Sequence, residues 1–324
     1  TLTGKKVYEV AYSPVWGGSY PETRTTPMIV GKKAFMISGS GEVVCLDITD
    51  GKIVWKVSGK SFRHQPGMWG TSECPLVIDG KKVIYTPSGN ETTIVALDAE
   101  TGKTIWKSRS LQDEGGYASP ILITYNGHRK IVALTGNRIV GVNPENGQID
   151  WTFDDLGKEG SQYIVPTNTP LYKDGRIFTA NGYGAGAFML QLNEDASGVR
   201  LLWRNKGFDP HHGCFVLVYG SSHGRNGLGK WMAVDWNTGR TRFEMNWGKG
   251  VGEGSVIAAD GMLYCSDERR GMVGLVRVNP AKFDLVSFFR ITRGEGAFWA
   301  HPVIHRGILY VRHGNALMAY KIKG

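Results

Sequence analysis

The sequence lacks several features that would place it in a familiar functional class. No stretch of its 324 residues approaches the ~20 apolar residues of a membrane-spanning helix. No amphipathic run is long enough for a stable helix. Cysteine is scarce, and Cys45, Cys74, Cys214 and Cys265 form no C-x-x-C pair, which argues against a cysteine-based metal cluster. We therefore expect a protein built from strands, without a membrane span, and the disulfide state of the cysteines stays open.

Basic charge is in excess but is not concentrated anywhere. The formal net charge is +9, yet Lys and Arg are scattered through turns such as those at 31–33 and 80–82. The sequence has no block of like charge and no basic stripe interleaved with aromatic residues, the pattern typical of nucleic-acid binding. Basic residues in solvent-exposed turns explain the positive net charge, so we expect no nucleic-acid partner.

What the sequence does contain is an internal repeat. The stretch VVCLDITDGKIVW at 43–55 returns as IVALDAETGKTIW at 94–106, and related stretches occur at 140–151 and 233–243. Each has Asp or Asn, then Gly four residues later and an aromatic residue four beyond that. Because Gly can take the positive φ of a tight turn and the flanking residues alternate, the pattern predicts a β-hairpin.

A second repeated element precedes each hairpin and consists of a short strand, a Gly turn and another strand. Its copies begin near residues 25, 73, 118, 168, 212, 254 and 300. This spacing, roughly 40 to 50 residues, is the length of a four-stranded propeller blade. The sequence therefore predicts an all-β fold, a seven-bladed β-propeller of four-stranded antiparallel blades, as a single domain over 1–324.

The N-terminus holds only the second half of a hairpin unit, Gly4 followed by Tyr8. We expect the strand at 5–12 to pair with the C-terminal blade and complete it, which would leave no open sheet edge. We also expect that the chain begins inside a repeat unit. An additional upstream blade, an anchor or a fused domain stays open.

The unit L-D-x-x-T-G-K-x-x-W resembles the repeat of the pyrroloquinoline-quinone-like (PQQ-like) propellers, over nearly the whole chain. In that family the Trp of the outer strand packs between neighbouring blades. The resemblance implies this structural role for Trp55, Trp106, Trp151 and Trp203, with Tyr8 and Phe243 as aromatic substitutes. It also implies a periplasmic or extracellular location, and we expect a monomer.

Function is expected where the repeats differ. In a propeller the link from each outer strand leads to the innermost strand of the next blade, so the residues before each blade start converge on one mouth of the central channel. These positions hold Arg24, Trp69, Glu73, Tyr117, Asn168, His211, His212, Glu253, Trp299 and His301. Such a mixture of aromatic and titratable groups indicates a binding pocket. The alternative is that these groups cap exposed backbone around a water-filled channel.

Two functions of different classes follow. The first is a non-catalytic propeller that binds a protein partner, or a small polar ligand such as a sugar or alcohol, as the family's assembly members do. The second is a quinoprotein oxidoreductase, in which PQQ with Ca²⁺ oxidises an alcohol or sugar. Calcium needs oxygen ligands, and Glu73, Asn168 and Glu253 could supply them. The family's large dehydrogenases carry an adjacent Cys-Cys pair and an eighth blade, which have no counterpart here, so we favour the first function and assign no catalytic residue.

The histidines leave a transition-metal site open. His212 and His301 could bind such a metal, with Glu73 or Glu253 completing the set, because neutral imidazole suits Zn, Cu or Fe. Sequence spacing does not establish the geometry, so these residues and Asn168 remain candidates only. We expect Glu73→Ala combined with His301→Ala to abolish binding with little loss of stability.

Overall fold

The chain is an all-β, seven-bladed β-propeller, as the repeat predicts. A computed structural model describes residues 3–20, 24–157, 165–246, 254–279 and 281–322. In those ranges the only helix is a 3-10 turn at Gly59–Phe62, and no helix there has the length and apolar character needed to cross a membrane.

The chain divides into two compact units. Unit 1 comprises Thr1–Leu156 and Leu192–Arg200, and unit 2 comprises Gly157–Gln191 and Leu201–Gly324. The single-domain organisation expected from the repeat stays a prediction, and each unit is described by itself.

Unit 1 contains the first three blades, each a four-stranded antiparallel sheet with its strands in chain order. The first blade has β1 Met28–Val30, β2 Lys33–Ile37, β3 Val43–Asp47 and β4 Ile53–Val57. The second has β5 Leu76–Ile78, β6 Lys82–Tyr85, β7 Val95–Asp98 and β8 Thr104–Lys107. The third has β9 Ile121–Tyr125, β10 His128–Leu134, β11 Ile139–Val142 and β12 Ile149–Phe153.

The other four blades lie in unit 2, except that residues 192–200 of the fourth group with unit 1. The fourth has β13 Leu171–Lys173, β14 Arg176–Asn181, β15 Gly186–Leu192 and β16 Val199–Asn205. The fifth has β17 Phe215–Val218, β18 Ser221–Arg225, β19 Trp231–Asp235 and β20 Thr241–Met245. The sixth has β21 Val256–Ala259, β22 Met262–Ser266, β23 Met272–Arg277 and β24 Asp284–Arg290, and the seventh has β25 Val303–His305, β26 Ile308–His313 and β27 Ala316–Lys321.

The seventh sheet has three strands in the described part of the chain, and residues 5–12 carry no strand assignment. The N-terminal segment nevertheless contacts the first blade. The Tyr8 hydroxyl donates to the Ile48 carbonyl at 2.9 Å, and the Lys56 ammonium donates to the Tyr12 carbonyl at 3.0 Å. Closure of the last blade by the N-terminal strand stays a prediction.

Hydrogen bonds from one acidic side chain fix the repeated hairpin turn. In the second blade, Asp98 Oδ1 accepts from the backbone N–H groups of Glu100 at 3.1 Å and Thr101 at 2.8 Å. The Gly102 N–H donates to the Asp98 carbonyl at 2.8 Å, and Gly102 has φ +71°. Asp is suited to this role because its short side chain reaches backbone N–H groups two and three residues on. The turn therefore needs Asp and Gly at these two positions, which explains why both recur in the sequence motif.

Each of five outer strands carries a bulge at the same place in the repeat. In the first blade Trp55 pairs with Cys45 while Ile53 pairs with Leu46, which leaves Val54 without a ladder partner. A bulge bends the strand and increases its twist, so it can re-aim the side chain that follows. In four of the five strands that side chain is the aromatic residue of the repeat, and in β24 it is Ser287.

Within each unit, apolar clusters fill the spaces between neighbouring blades. In unit 1 one cluster joins Phe35 and Trp55 of the first blade to Val83 and Tyr85 of the second. The Trp55 indole N–H donates to the Ala99 carbonyl at 3.1 Å. Equivalent bonds run from Trp106 to the Pro144 carbonyl at 3.1 Å, and in unit 2 from Trp203 to the Trp236 carbonyl at 3.3 Å. These contacts give the three tryptophans the structural role that the resemblance implies.

All four cysteines are free thiols. Cys45 and Cys265 are buried in sheets, and burial raises the pKa of Cys45 to about 11. Cys74 Sγ accepts a hydrogen bond from the Thr26 N–H at 3.2 Å. Because the thiolate is the reactive form, the buried pair serves as packing groups at neutral pH.

Candidate functional site

Antiparallel pairing decides which segments meet at the end of a blade. In the sixth blade Val256, the first residue of β21, pairs with Cys265 near the end of β22. The link before β21 and the loop after β22 therefore lie together, and the hydroxyl oxygens of Ser255 and Ser266 are 2.6 Å apart. The links that carry the candidate residues therefore lie at the same end of a blade as the loops between second and third strands.

In unit 1, the Arg24 side chain forms hydrogen bonds to backbone carbonyls. Its guanidinium donates to the carbonyls of Ser19 at 2.9 Å and Tyr20 at 2.5 Å, and also to the Trp69 carbonyl. The Trp69 and Tyr117 rings are neighbours, with centroids 5.4 Å apart. Arg24 thus connects the N-terminal segment to the link that precedes the second blade, while Trp69 packs on Tyr117.

Glu73 lies inside unit 1 with only 3% of its surface exposed. One carboxylate oxygen accepts from the Thr86 backbone N–H at 2.8 Å, and burial raises the pKa of Glu73 to about 7. Replacing Glu73 by Ala would leave a buried N–H without its acceptor, which costs about 1 to 3 kcal/mol. The structure therefore argues against the expectation that Glu73→Ala costs little stability.

Two further groups shape this end of unit 1. Trp16 fills space next to Gly39 and Gly70, where an added β-carbon would lie 2.6 Å and 2.8 Å from its side chain. His64 Nδ1 lies 2.7 Å from the Pro87 carbonyl, which can only accept, so Nδ1 is the donor and Nε2 accepts from the Thr71 hydroxyl at 2.8 Å. Burial lowers the pKa of His64, in agreement with a neutral ring. Both groups stabilise the links.

In unit 2, Asn168 is completely buried and fully used. Its side-chain N–H groups donate to the carbonyls of Ala180 at 3.0 Å, Pro210 at 2.9 Å and His211 at 3.0 Å. Its oxygen accepts from the Cys214 N–H at 3.2 Å. Asn168 therefore joins the fourth blade to the link before the fifth, and both polar atoms of its amide bind backbone.

A row of four rings crosses one end of unit 2. Centroid distances are 4.4 Å from Tyr183 to His211, 5.0 Å from His211 to His212, and 5.8 Å from His212 to Trp299. His212 Nε2 also lies 3.1 Å from a carboxylate oxygen of Glu268. Burial, and then the neighbouring His212, lower the pKa of His211. The structure thus brings three of the sequence candidates together, with Tyr183 and Glu268 added by loops between second and third strands.

The remaining candidates have different positions. His301 is exposed, and its Nε2 lies 3.3 Å from the His212 carbonyl, to which it donates. Glu253 lies outside the described residues. We use the term unit 2 mouth for Tyr183, His211, His212, Leu228, Glu268, Arg269, Arg270, Trp299 and His301.

A small recess of about 10 Å³, roughly the room one water molecule needs, adjoins the row of rings. His211, Arg225 and Glu268 are among its lining residues. Arg225 is 8% exposed and donates to the Gly229 carbonyl, so the loop after β18 wraps around its guanidinium. Asp209 accepts from the N–H groups of Gly227 at 2.8 Å and Gly184 at 3.0 Å, and burial raises its pKa. The recess is small and lies beside the row of rings.

The residues present do not fit the PQQ and Ca²⁺ site that the resemblance allowed. Asn168 directs its amide oxygen to a backbone N–H, and Glu73 is buried against another. The sequence has no adjacent Cys-Cys pair. Over the ranges that the structure describes, no three His, Cys, Asp or Glu side chains are grouped as metal ligands. We therefore derive no chemical step through a cofactor or metal.

Family membership follows from a match to most of the chain. A PQQ-repeat family model described as outer membrane protein assembly factor BamB matches residues 2–245. The chain belongs to this BamB-like family of PQQ-repeat proteins. The resemblance drawn from the repeated motif is confirmed.

Curated relatives of the chain include both an outer membrane protein assembly factor and an enzyme. BamB of Escherichia coli is 26% identical over 157 residues, which cover 47% of this chain and 33% of that protein. The quinoprotein alcohol dehydrogenase PedH of Pseudomonas putida is 24% identical over 187 residues, which cover 53% of this chain and 29% of the enzyme. The matched region spans less than half the length of the first curated relatives.

A solved structure agrees in fold. The crystal structure of BamB from Moraxella catarrhalis superposes with a TM-score of 0.66 at 18% identity, covering 91% of this chain and 81% of that chain. At this identity the likeness shows the fold alone. The function of this chain has to be argued from its own site.

Proposed function

We propose that this chain is a non-catalytic, protein-binding propeller that acts through the unit 2 mouth. The observation that carries the proposal is the row of rings from Tyr183 to Trp299, because it presents aromatic and imidazole groups together at one end of the unit. Trp, Tyr and Arg are the residue types that dominate the binding energy of protein interfaces. Tyr183 is 39% exposed and Trp299 is 40% exposed, so both rings have surface left for a partner.

Of the candidate cofactor ligands, the two that the structure describes bind backbone groups of the fold. Asn168 fastens a link to a blade, and Glu73 fastens a strand. The mouth residues of unit 2 lie instead on links and loops, whose backbones are fixed by hydrogen bonds such as those to Asp209. A rigid frame that presents side chains on loops is the arrangement typical of a binding site.

The family supports the kind of partner. Its model carries the name of an outer membrane protein assembly factor, and a relative from Escherichia coli has the same name. By this resemblance we propose that the partner is a protein, that the chain works in the periplasm or at the cell surface, and that the chain is a monomer when it is not bound.

The competing function is a PQQ-dependent dehydrogenase, because the Pseudomonas putida relative is a quinoprotein alcohol dehydrogenase. Titration of the full chain with PQQ and Ca²⁺, followed by tryptophan fluorescence, tests it together with dye reduction by simple alcohols and sugars. We expect no saturable quenching at micromolar PQQ and no substrate-dependent dye reduction. Saturable quenching accompanied by dye reduction would overturn the non-catalytic proposal.

A further inference from the structure

The unit 2 mouth carries exposed positive charge in addition to its rings. The loop between β22 and β23 brings Arg269 and Arg270 next to Glu268, whose carboxylate lies 3.1 Å from His212 Nε2. Asp267 Oδ1 accepts from the backbone N–H groups of Arg269, at 2.9 Å, and of Arg270. Both arginines are exposed, and the Arg269 side chain is 74% exposed. An anchored turn therefore carries two cationic side chains beside the row of rings.

The acidic groups of the same loops are mostly held inside. Asp267 is fully buried, and Glu268 is 9% exposed and faces His212. Asp209 accepts from the backbone of two loops. Glu295 is exposed, and one of its oxygens accepts from the Asn315 side chain at 3.0 Å. Among the described residues of these loops, Arg269 and Arg270 are exposed while Asp267 and Glu268 are buried, and Arg269 Nε lies 3.9 Å from a Glu268 oxygen.

An exposed apolar side chain lies in a loop at the same end of the fifth blade as His211 and His212. Leu228, in the loop between β18 and β19, is 80% exposed. The backbone N–H of the preceding residue, Gly227, donates to Asp209 at 2.8 Å. Asp209 lies in the link that continues to His211 and His212. Exposed Leu, Trp and Arg side chains on the loops of one blade end are residue types enriched in the cores of protein interfaces rather than in solvated loops.

We propose that the unit 2 mouth recognises an acidic segment of its protein partner, in which carboxylate side chains alternate with apolar ones. The carboxylates would meet Arg269 and Arg270, and the apolar side chains would pack on Leu228 and Trp299. Charge-assisted hydrogen bonds to guanidinium groups are strong and directional, and complementary charge sets the rate and specificity of association. This inference rests on the proposed function and specifies the chemistry of the partner.

The test uses three blocked peptides of equal length, in which Leu alternates with Glu, with Gln or with Lys. Each is titrated into the ¹⁵N-labelled full chain, and the shift of the Trp299 indole N–H is followed, with Trp299→Phe to assign the signal. We expect the Glu peptide to bind at least ~10-fold more tightly than the Gln peptide at low salt, with the difference shrinking as salt is added. Equal affinities, or no shift with the Glu peptide at millimolar concentration, would overturn the inference.

Charge-reversal variants give the matched control. The double variant Arg269→Glu with Arg270→Glu is expected to lose the preference for the Glu peptide. Arg240→Glu with Arg306→Glu makes the same change of charge at two exposed arginines, in turns at the opposite end of the fifth and seventh blades, and should keep the preference. An equal loss in both would contradict a site at the mouth. If the Gln peptide shifts Trp299 as strongly as the Glu peptide, only this inference fails and the proposed binding role stands.

Discussion

The indole ring of Trp55 lies directly over the α-carbon of Gly102, so that an added β-carbon would be 2.8 Å from the ring. The same relation joins Tyr8 to Gly51, at 2.7 Å, and Trp106 to Gly147, at 2.4 Å. In unit 2 it joins Trp203 to Gly239, at 2.4 Å. The glycine of the repeat therefore serves two purposes, since it gives the turn its positive φ and leaves room for the aromatic ring of the preceding outer strand.

Gly102→Ala should destabilise the protein more than an alanine that meets only the backbone penalty. Gly127 is the control, because it has φ +81° and nothing within 4 Å of an added β-carbon, whereas Gly102 has φ +71° and the Trp55 ring. We expect about 1 kcal/mol for Gly127→Ala and about 2 to 4 kcal/mol for Gly102→Ala. Urea unfolding of the two variants measures the difference, and equal losses would show that the ring contact adds nothing.

Much of the fold could be predicted because the residues of the repeated motif are the ones that form the turn. Asp, Gly and the aromatic residue each have a separate physical task, so their spacing survives in the sequence wherever the tasks remain. The sixth blade shows the limit. Phe283 and Ser287 stand where the other repeats have Gly and the aromatic residue, and Phe283 stacks on Trp231 with centroids 5.1 Å apart. Phe283 thus packs on an aromatic ring where other repeats have a turn glycine, and the spacing of the motif does not predict this contact.

Asn168→Asp should be strongly destabilising, and more so at pH 8 than at pH 5. The new oxygen would face the carbonyls of Ala180, Pro210 and His211, where the amide N–H groups now donate. The Cys214 N–H would still donate to one oxygen, but a buried carboxylate whose other oxygen faces carbonyls costs about 3 to 5 kcal/mol, while its protonated form can donate one hydrogen bond. Unfolding curves at the two pH values measure this, with Asn168→Ala for comparison. Unchanged stability together with tighter Ca²⁺ binding would instead make Asn168 a metal ligand.

Glu73 should make stability depend on pH in a known direction. Burial raises its pKa from 4.5 to about 7, so between these values the unfolded chain loses a proton that the folded protein keeps. The free energy of unfolding should therefore fall as pH rises through this window, by up to about 3 kcal/mol, and then level off. Glu73→Gln keeps an acceptor for the Thr86 N–H and should remove this fall. Parallel curves for wild type and variant between pH 4.5 and 7 would disprove the assignment.

The candidate site was predictable only in part. The links before each blade could be found in the sequence, and His211, His212 and Trp299 do lie in one row of rings. Glu268 and Tyr183 were missed because they lie on loops between second and third strands. The signal that could have found them is antiparallel pairing itself, which returns the end of the second strand to the start of the first. Burial of Glu73 and Asn168 depends on packing that one sequence does not specify.

The central claim is that a protein partner binds at the unit 2 mouth, and site-specific photo-crosslinking tests it most directly. A photoreactive phenylalanine is placed at Leu228, which is 80% exposed, or at Tyr219, which is 77% exposed in the turn at the other end of β18. In cells that naturally produce the protein, we predict a discrete protein adduct from position 228 and none from position 219. The adduct should disappear when His212→Ala and Trp299→Ala are added. Equal adducts from both positions, or an adduct that survives the double variant, would contradict binding at the mouth.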